Sequence, residues 1–212
     1  MWKKYRLPQK FAFIETIMRI LCIGDSNTYG YDPRSYFGSR YSEDVRWTDL
    51  VSGFDVMNWG VNGMTVSQAI SYYDDVIERS DYSFVIVMLG GNDLLTGANA
   101  EQTCERMAVL LEKVLKAKKP TLLIAPPHFR EGEWASSKAE IEESKRLGKM
   151  YGELAKGKGC LFADAGSWDI DISYDGVHFS EAGHKTFAEE IEILLSSFFA
   201  ELRELGEKIA NN

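Results

Sequence analysis

A hydroxyl, a carboxylate and an imidazole occur in two short blocks at opposite ends of the chain. Ser26 follows a glycine-aspartate pair, and Asp175 precedes His178 by three residues in a loop that contains Gly176. A serine hydroxyl becomes an effective nucleophile when a histidine accepts its proton, and a carboxylate on the other ring nitrogen fixes the tautomer of that histidine. We therefore predict a Ser26–His178–Asp175 catalytic triad for acyl transfer.

Acyl transfer also needs hydrogen-bond donors for the negative charge that develops on the carbonyl oxygen. The backbone N–H groups of Ser26 and Gly60 and the side-chain amide of Asn92 are the candidate donors for this oxyanion hole. Each block has a structural alternative as well. Ser26 is a good N-cap for a helix, and Asn92 is of a type that commonly stabilises turns.

Several side chains near these blocks are candidates for substrate binding, because loops after strands commonly carry specificity. The predicted contacts are Asn62, Trp47, Tyr31 and Phe129, and Tyr29 and Trp134 are further aromatic candidates. The alternative for the aromatic residues is packing within their loops, and Asn62 has the alternative of holding its own loop. We expect His128 to line the wall of the site and His184 to be a surface or packing residue.

Five short apolar runs recur along the chain, and helical patterns separate them. The runs cover residues 17–23, 55–59, 84–89, 121–125 and 160–164. They are typical of strands that are buried on both faces, and strands that alternate with helices pair in parallel. The helical patterns cover residues 47–52, 65–79, 99–118, 137–156 and 180–208. We predict an α/β three-layer sandwich of the flavodoxin-like kind with a five-stranded parallel sheet, and a ligand crevice at the carboxyl ends of its strands.

The blocks together resemble a known family. Gly24-Asp25-Ser26, Gly60, Gly90-x-Asn92-Asp93 and Asp175-x-x-His178 are similar to the four blocks of the SGNH (GDSL-type) hydrolases, in the same order. Each short motif occurs by chance, but the four together, each after a predicted strand, are specific. The resemblance implies the SGNH hydrolase fold over residues 18–212 and gives Ser26, Gly60, Asn92 and His178 the roles of the family's four named residues.

A finer resemblance concerns the arylesterase and acyltransferase branch of that family. It rests on residues 24–31, on Arg46-Trp47-Thr48 and on Asn58-x-Gly60-x-Asn62-Gly63. This likeness implies a serine esterase that hydrolyses small acyl esters, short-chain or aryl, through an acyl-enzyme. Carbohydrate acetylesterase and acyltransferase activities on the same site are the alternatives, and thioesters and lysophospholipids are further candidate substrates. The non-enzymatic alternative is a protein that binds an acyl or sugar ligand. That alternative predicts the loss of a triad or oxyanion residue, and none is missing.

The length and charge of the chain indicate its domain organisation and the partners that it does not bind. From its 212 residues we expect one domain at 18–212, preceded by an extension at 1–17. Because its formal net charge is -8, we expect no binding to nucleic acid or membranes. We interpret the three cysteines as buried, unpaired residues, as in proteins of a reducing compartment, and therefore expect a cytoplasmic location. We expect no cofactor or metal, since the three histidines are dispersed. Residues 1–17 and 31–45 are candidate contact segments for a homo-oligomer.

Overall fold

The computed structural model describes residues 18–35, 37, 39–79 and 81–210. Its five strands form one parallel sheet in the order β2-β1-β3-β4-β5. They are β1 (Arg19–Gly24), β2 (Asp55–Gly60), β3 (Phe84–Met88), β4 (Thr121–Ala125) and β5 (Leu161–Asp164). The predicted five-stranded parallel sheet is therefore confirmed, whereas the predicted extension at 1–17 lies outside the described residues.

Helices cover both faces of this sheet. They are α1 (Ser26–Tyr29), α2 (Trp47–Leu50), α3 (Val66–Arg79), α4 (Gly91–Leu95), α5 (Ala100–Lys116), α6 (Lys138–Lys158) and α7 (Glu181–Ala210), with a 3₁₀ helix at Ala165–Ser167. The core on one face joins α3, α5 and α6 to the sheet, and the core on the other face joins α2 and α7 to it. This arrangement is the predicted three-layer sandwich.

The strands alternate their side chains between the two cores. Leu21 and Ile23 of β1 face the first core, and Ile20 and Cys22 face the second. The prediction that all five strands are buried on both faces is wrong for the two edge strands. In β2, Asp55 is exposed and the following residues are half-buried, and in β5, Phe162 and Asp164 are half-buried. The reason is position, because an edge strand has a neighbouring strand on one side only.

The ends of the helices follow local sequence signals in most cases. Thr65 and Gln68 form the expected capping interactions before α3, and the Ser180 hydroxyl accepts the N–H of Gly183 at the start of α7. Helix α4 was not predicted, since its glycine-rich start resembles a turn. The chain enters α4 through Gly90, whose φ of 122° is in a region that favours glycine.

Candidate active site

Ser26, His178 and Asp175 form one hydrogen-bonded chain. His178 Nε2 lies 2.8 Å from Ser26 Oγ, and His178 Nδ1 lies 2.6 Å from Asp175 Oδ2. The second carboxylate oxygen, Oδ1, accepts the backbone N–H groups of Val177 and His178, each at 2.9 Å. The carboxylate is thus held by its own loop while it contacts the imidazole, and this geometry permits proton transfer from serine to histidine.

The carboxylate of this chain remains ionised at neutral pH. Burial raises the pKa of Asp175, but hydrogen bonds from the His178 ring and from the backbone N–H groups outweigh burial and lower the pKa below its ordinary value. Asp175 and His178 are each 1% exposed. An ionised carboxylate at Nδ1 keeps the proton on that nitrogen, which leaves Nε2 free to accept the proton of Ser26.

Two loops at the carboxyl ends of the strands bring these residues together. Ser26 is the first residue of α1, which follows the interior strand β1, and the Asp25 side chain caps this helix by accepting the N–H of Asn27 at 3.1 Å. The first N–H groups of a helix lack an intrahelical acceptor, so the N–H of Ser26 is available to an oxyanion. His178 lies in the loop between β5 and α7, where its carbonyl accepts the N–H of Ser173 at 2.7 Å.

Gly60 ends β2 beside α1, and two features of the structure bear on its predicted oxyanion role. A Cβ at this position would lie 2.1 Å from the Tyr29 backbone nitrogen, so a glycine is required by the close approach of α1. Its N–H donates to Asn58 Oδ1 at 2.9 Å. The Asn58 amide also donates to the Thr28 carbonyl at 2.7 Å and to the Thr48 hydroxyl at 2.8 Å. An oxyanion would therefore share the Gly60 N–H with Asn58.

Asn58 was identified only as part of the Asn58-x-Gly60 block, and its hydrogen bond with Gly60 was not predicted. A signal for it was present, since an asparagine side chain commonly accepts the N–H two residues further along the chain. In this site the interaction orients the end of β2, because the same side chain also binds the backbone of α1 through Thr28. Asn58 therefore fixes the position of Gly60 relative to the helix that begins with Ser26.

Asn92 lies in the first turn of α4, which follows the central strand β3. Its Nδ2 atom donates to the Met64 carbonyl at 3.2 Å, which leaves a second amide hydrogen for another acceptor. The neighbouring Asp93 is fully buried, and it accepts the N–H of Val66 at 2.8 Å and the Arg106 guanidinium at 2.9 Å. These contacts join α3, α4 and α5 and hold the Asn92 backbone in place.

The structure separates the predicted substrate contacts into two groups. The ring of Tyr31 lies 4.8 Å from the His178 ring, and Asn62 is exposed in the turn after β2. Trp47, by contrast, is 1% exposed, lies 4.9 Å from Phe187 and donates through Nε1 to the Asn27 carbonyl at 3.0 Å. It is a core residue here and not part of a substrate-facing surface.

Phe129 is also buried, within the core that contains α5 and α6, and its backbone N–H donates to the Ser144 hydroxyl at 3.0 Å. The structure instead brings Trp134 to the imidazole. The Trp134 ring lies 4.8 Å from that of His178 in an edge-to-face orientation, and its side chain is 49% exposed. Tyr31 and Trp134 are therefore the aromatic residues that flank His178.

The other histidines lie apart from the triad interactions. His184 is fully buried in α7, and its Nδ1 atom accepts the Trp47 N–H at 3.4 Å. Burial lowers the pKa of His184 to about 3, so its ring is neutral at physiological pH. His184 is therefore a packing residue. His128 lines a cavity of about 150 Å³ with Arg130 and Trp168, and no triad residue lines that cavity.

The described residues contain neither a membrane-spanning helix nor a metal-binding cluster. None of their helices combines the length and apolar character needed to cross a membrane. Across the same residues, no cluster of three or more His, Cys, Asp or Glu side chains is arranged to hold a metal ion. Cys22 and Cys104 are buried and Cys160 is half-buried, and all three are free thiols.

Residues 22–186 match the model of the GDSL-like lipase/acylhydrolase family. The chain belongs to this family. The matched residues include both blocks of the triad as well as Gly60 and Asn92. The sequence resemblance to SGNH (GDSL-type) hydrolases is thereby confirmed.

Individual relatives place the chain among GDSL-like enzymes of several kinds. It is 29% identical over 131 residues to thioesterase 1/protease 1/lysophospholipase L1 of Escherichia coli (strain K12), a match that covers 57% of this chain and 59% of that protein. The chain thus aligns with less than two thirds of the length of this curated relative.

Solved structures give longer matches within the GDSL-like fold. The aryl esterase of M. smegmatis superimposes with a TM-score of 0.77 at 26% identity, over 85% of this chain and 99% of that one. Est24, a carbohydrate acetylesterase from Sinorhizobium meliloti, superimposes with a TM-score of 0.76 at 24% identity, over 85% and 99% of the two chains. The second likeness is one of fold alone.

Proposed function

We propose that this chain is a serine esterase that hydrolyses small acyl esters through Ser26, His178 and Asp175. The observation that carries the proposal is the buried chain of hydrogen bonds from Ser26 Oγ through the imidazole to the Asp175 carboxylate. Membership of the GDSL-like lipase/acylhydrolase family supports the same reaction class. All three groups have the hydrogen-bond partners that nucleophilic acyl transfer requires.

The proposed reaction has two halves. His178 accepts the Ser26 proton as the hydroxyl oxygen attacks the ester carbonyl, and the resulting tetrahedral oxyanion is stabilised by the Ser26 N–H, the Asn92 amide and the shared Gly60 N–H. The imidazolium then protonates the departing alcohol and leaves an acyl-enzyme. Water gives up a proton to the same ring and attacks the acyl carbonyl, and the imidazolium returns this proton to Ser26 Oγ as the acid is released. Asp175 stays ionised throughout.

The proposed substrate class rests on the surroundings of the imidazole. The Tyr31 and Trp134 rings each lie 4.8 Å from the His178 ring, and their own centroids are 6.4 Å apart. Flat aromatic walls of this kind suit a small acyl or aryl group that packs against ring faces. We therefore propose short-chain or aryl esters as substrates, with Tyr31, Trp134 and the exposed Asn62 as the binding residues.

The names of the relatives indicate which other substrates to compare with short-chain and aryl esters. These are acetylated sugars, acyl thioesters and lysophospholipids, which correspond to further activities named among the relatives. Transfer of the acyl group to an added alcohol, instead of water, is the remaining alternative for the same acyl-enzyme. A preference for any of these would change the substrate in the proposal but keep the nucleophile.

The direct test is hydrolysis of p-nitrophenyl acetate by the wild-type protein and by Ser26→Ala, followed by the wider substrate panel. We expect activity in the wild type and loss of nearly all of it in the variant. Transfer is assayed by adding a primary alcohol and measuring the new ester. Equal rates in the two proteins for every substrate would refute the proposal and favour the binding-protein alternative.

A cytoplasmic location and self-association stay predictions. The three free thiols agree with a reducing compartment. Cell fractionation tests the location, and sedimentation analysis of the purified chain tests whether it forms a homo-oligomer.

A further inference from the structure

Asn27 joins the nucleophile to the histidine loop through its side-chain amide. Its Nδ2 atom donates to the Val177 carbonyl at 3.1 Å, and its Oδ1 atom accepts the N–H of Phe179 at 2.9 Å. The two bonded residues are the immediate neighbours of His178. Asn27 itself directly follows Ser26, so one side chain connects the two halves of the triad across about 150 residues of sequence.

The Asn27 amide supplies one donor and one acceptor to the two backbone groups that flank His178. Asparagine is the shortest side chain that carries both groups on one planar unit. Asn27 therefore acts like a single peptide group paired with residues 177–179.

Asn27 is itself held firmly. Its side chain is 7% exposed, its backbone N–H donates to Asp25 Oδ1 and its carbonyl accepts the indole N–H of Trp47. The backbone N–H, the backbone carbonyl, the side-chain nitrogen and the side-chain oxygen of Asn27 thus each have a partner. A buried amide whose nitrogen donates and whose oxygen accepts has one preferred orientation, because exchanging the two atoms would break both hydrogen bonds.

We propose that Asn27 is a positioning residue that sets the distance between Ser26 Oγ and His178 Nε2. This inference rests on the proposed esterase function. The 2.8 Å separation of those atoms depends on two segments that the sheet alone does not hold together, since one follows β1 and the other follows β5 at the far edge. The Asn27 amide makes a direct connection between them.

The first experiment compares Asn27→Ala with Val114→Ala, using the full chain. Val114 is buried near the C-terminus of α5. The chain runs from there into the start of β4, so Val114 lies at the opposite end of the sheet from the site. We expect Asn27→Ala to lower kcat by about 10²-fold with little change in KM, because a misplacement of about 1 Å costs that much in rate. Val114→Ala should lower the melting temperature and leave kcat unchanged. A loss of kcat in Asn27→Ala no larger than in Val114→Ala would overturn the proposal.

The second experiment uses Asn27→Asp, which keeps the size of the side chain. An ionised carboxylate accepts the Phe179 N–H but repels the Val177 carbonyl, whereas a protonated carboxyl reproduces both hydrogen bonds. The rate of Asn27→Asp relative to wild type should therefore rise as the pH is lowered from 8 towards 5.5. The nearby titratable groups Asp25, Asp175 and His178 are present in wild type and in both variants, and the neutral Asn27→Ala shows how the rate depends on pH without a carboxyl group at position 27. The ratio for the neutral Asn27→Ala should be constant.

A ratio for Asn27→Asp that is independent of pH would also overturn the proposal. Labelling of Ser26 by a fluorophosphonate, followed by mass spectrometry, measures the same effect without a substrate and should be slowed in parallel. The parent activity is checked first with Ser26→Ala. Activity that survives in Ser26→Ala refutes the esterase proposal, whereas normal kcat in Asn27→Ala alongside an inactive Ser26→Ala refutes only the role of Asn27.

Discussion

Gly132 lies directly against the backbone of Asp175. A Cβ on Gly132 would lie 2.3 Å from the Asp175 carbonyl carbon and 2.4 Å from the Gly176 nitrogen. Hydrogen bonds on either side join the same two segments, from the Arg130 N–H to the Gly176 carbonyl and from the Trp134 N–H to the Asp175 carbonyl, both at 2.9 Å. The loop after β4 thus supports the loop that holds the carboxylate and the imidazole.

The contact predicts that Gly132→Ala impairs both folding and activity. The methyl group must push the Asp175 loop away, so we expect a loss of about 1–3 kcal/mol in unfolding free energy and of about 10²-fold in kcat. Urea unfolding and ester hydrolysis measure the two. Gly157→Ala is the control, since a Cβ there meets nothing within 4 Å. It should stabilise α6 by about 0.5–1 kcal/mol with normal kcat. Equal behaviour of the two variants would contradict the supporting role of this loop.

Asp175→Asn should remove most of the activity without unfolding the protein. The asparagine amide would donate to His178 Nδ1, which forces the ring proton onto Nε2 and prevents that nitrogen from accepting the Ser26 proton. A tautomer change of this type costs about 10⁴-fold in kcat in a serine protease, and we expect a similar loss. Asp169→Asn makes the same change at an exposed position of a nearby loop and should leave kcat normal. Substantial activity in Asp175→Asn would argue against Asp175 as the residue that orients the histidine.

Asn92→Ala tests the side-chain donor of the oxyanion hole. Removal of one such donor costs about 10²–10³-fold in kcat, with a much smaller effect on KM, because the charge develops only in the transition state. Thr96→Ala is the control. The Thr96 hydroxyl is exposed and donates to the Asn92 carbonyl at 2.7 Å, so its loss leaves the Asn92 amide intact. If both variants have the same kcat as wild type, Asn92 stabilises only its turn.

Asp25→Asn should stabilise the protein at neutral pH. Burial raises the pKa of Asp25 from 3.8 to about 6, and hydrogen bonding to Asn27 offsets only part of this effect. Between these values the unfolded chain releases a proton that the folded chain retains, so this carboxyl makes the folded state less stable as pH rises from about 4 to 6.

The expected gain for Asp25→Asn is on the order of 3 kcal/mol at pH 7. It should shrink below pH 4, where the carboxyl is protonated in both states. Urea unfolding at pH 7 and pH 3.5 measures the difference. A gain in unfolding free energy of the same size at both pH values would show that removal of the buried Asp25 charge is not the cause of the gain.

The order of the elements and the meeting of the proposed triad residues could be predicted from sequence because both begin from local patterns. Apolar runs predicted the strands, and the capping signals at Thr65 and Ser180 predicted two helix starts. Parallel strands bring the loops that follow them to one edge, so Ser26 and His178 were expected to meet there. The edge position of β2 and the short helix α4 did not follow from these patterns, since the apolar run and the glycines have other common conformations.

The tertiary structure alone decided which aromatic and amide side chains serve the site. Trp47 and Trp134 both lie in irregular segments of similar composition, yet one is 1% and the other 49% exposed. The amide of Asn27 finds its partners on residues 177 and 179, and Gly132 finds its contact on Asp175. These outcomes depend on how segments far apart in sequence approach each other, and local propensity carries no information about that approach. The sequence by itself therefore determined the candidate catalytic groups and the sheet edge where they meet, while long-range packing decided how they are held.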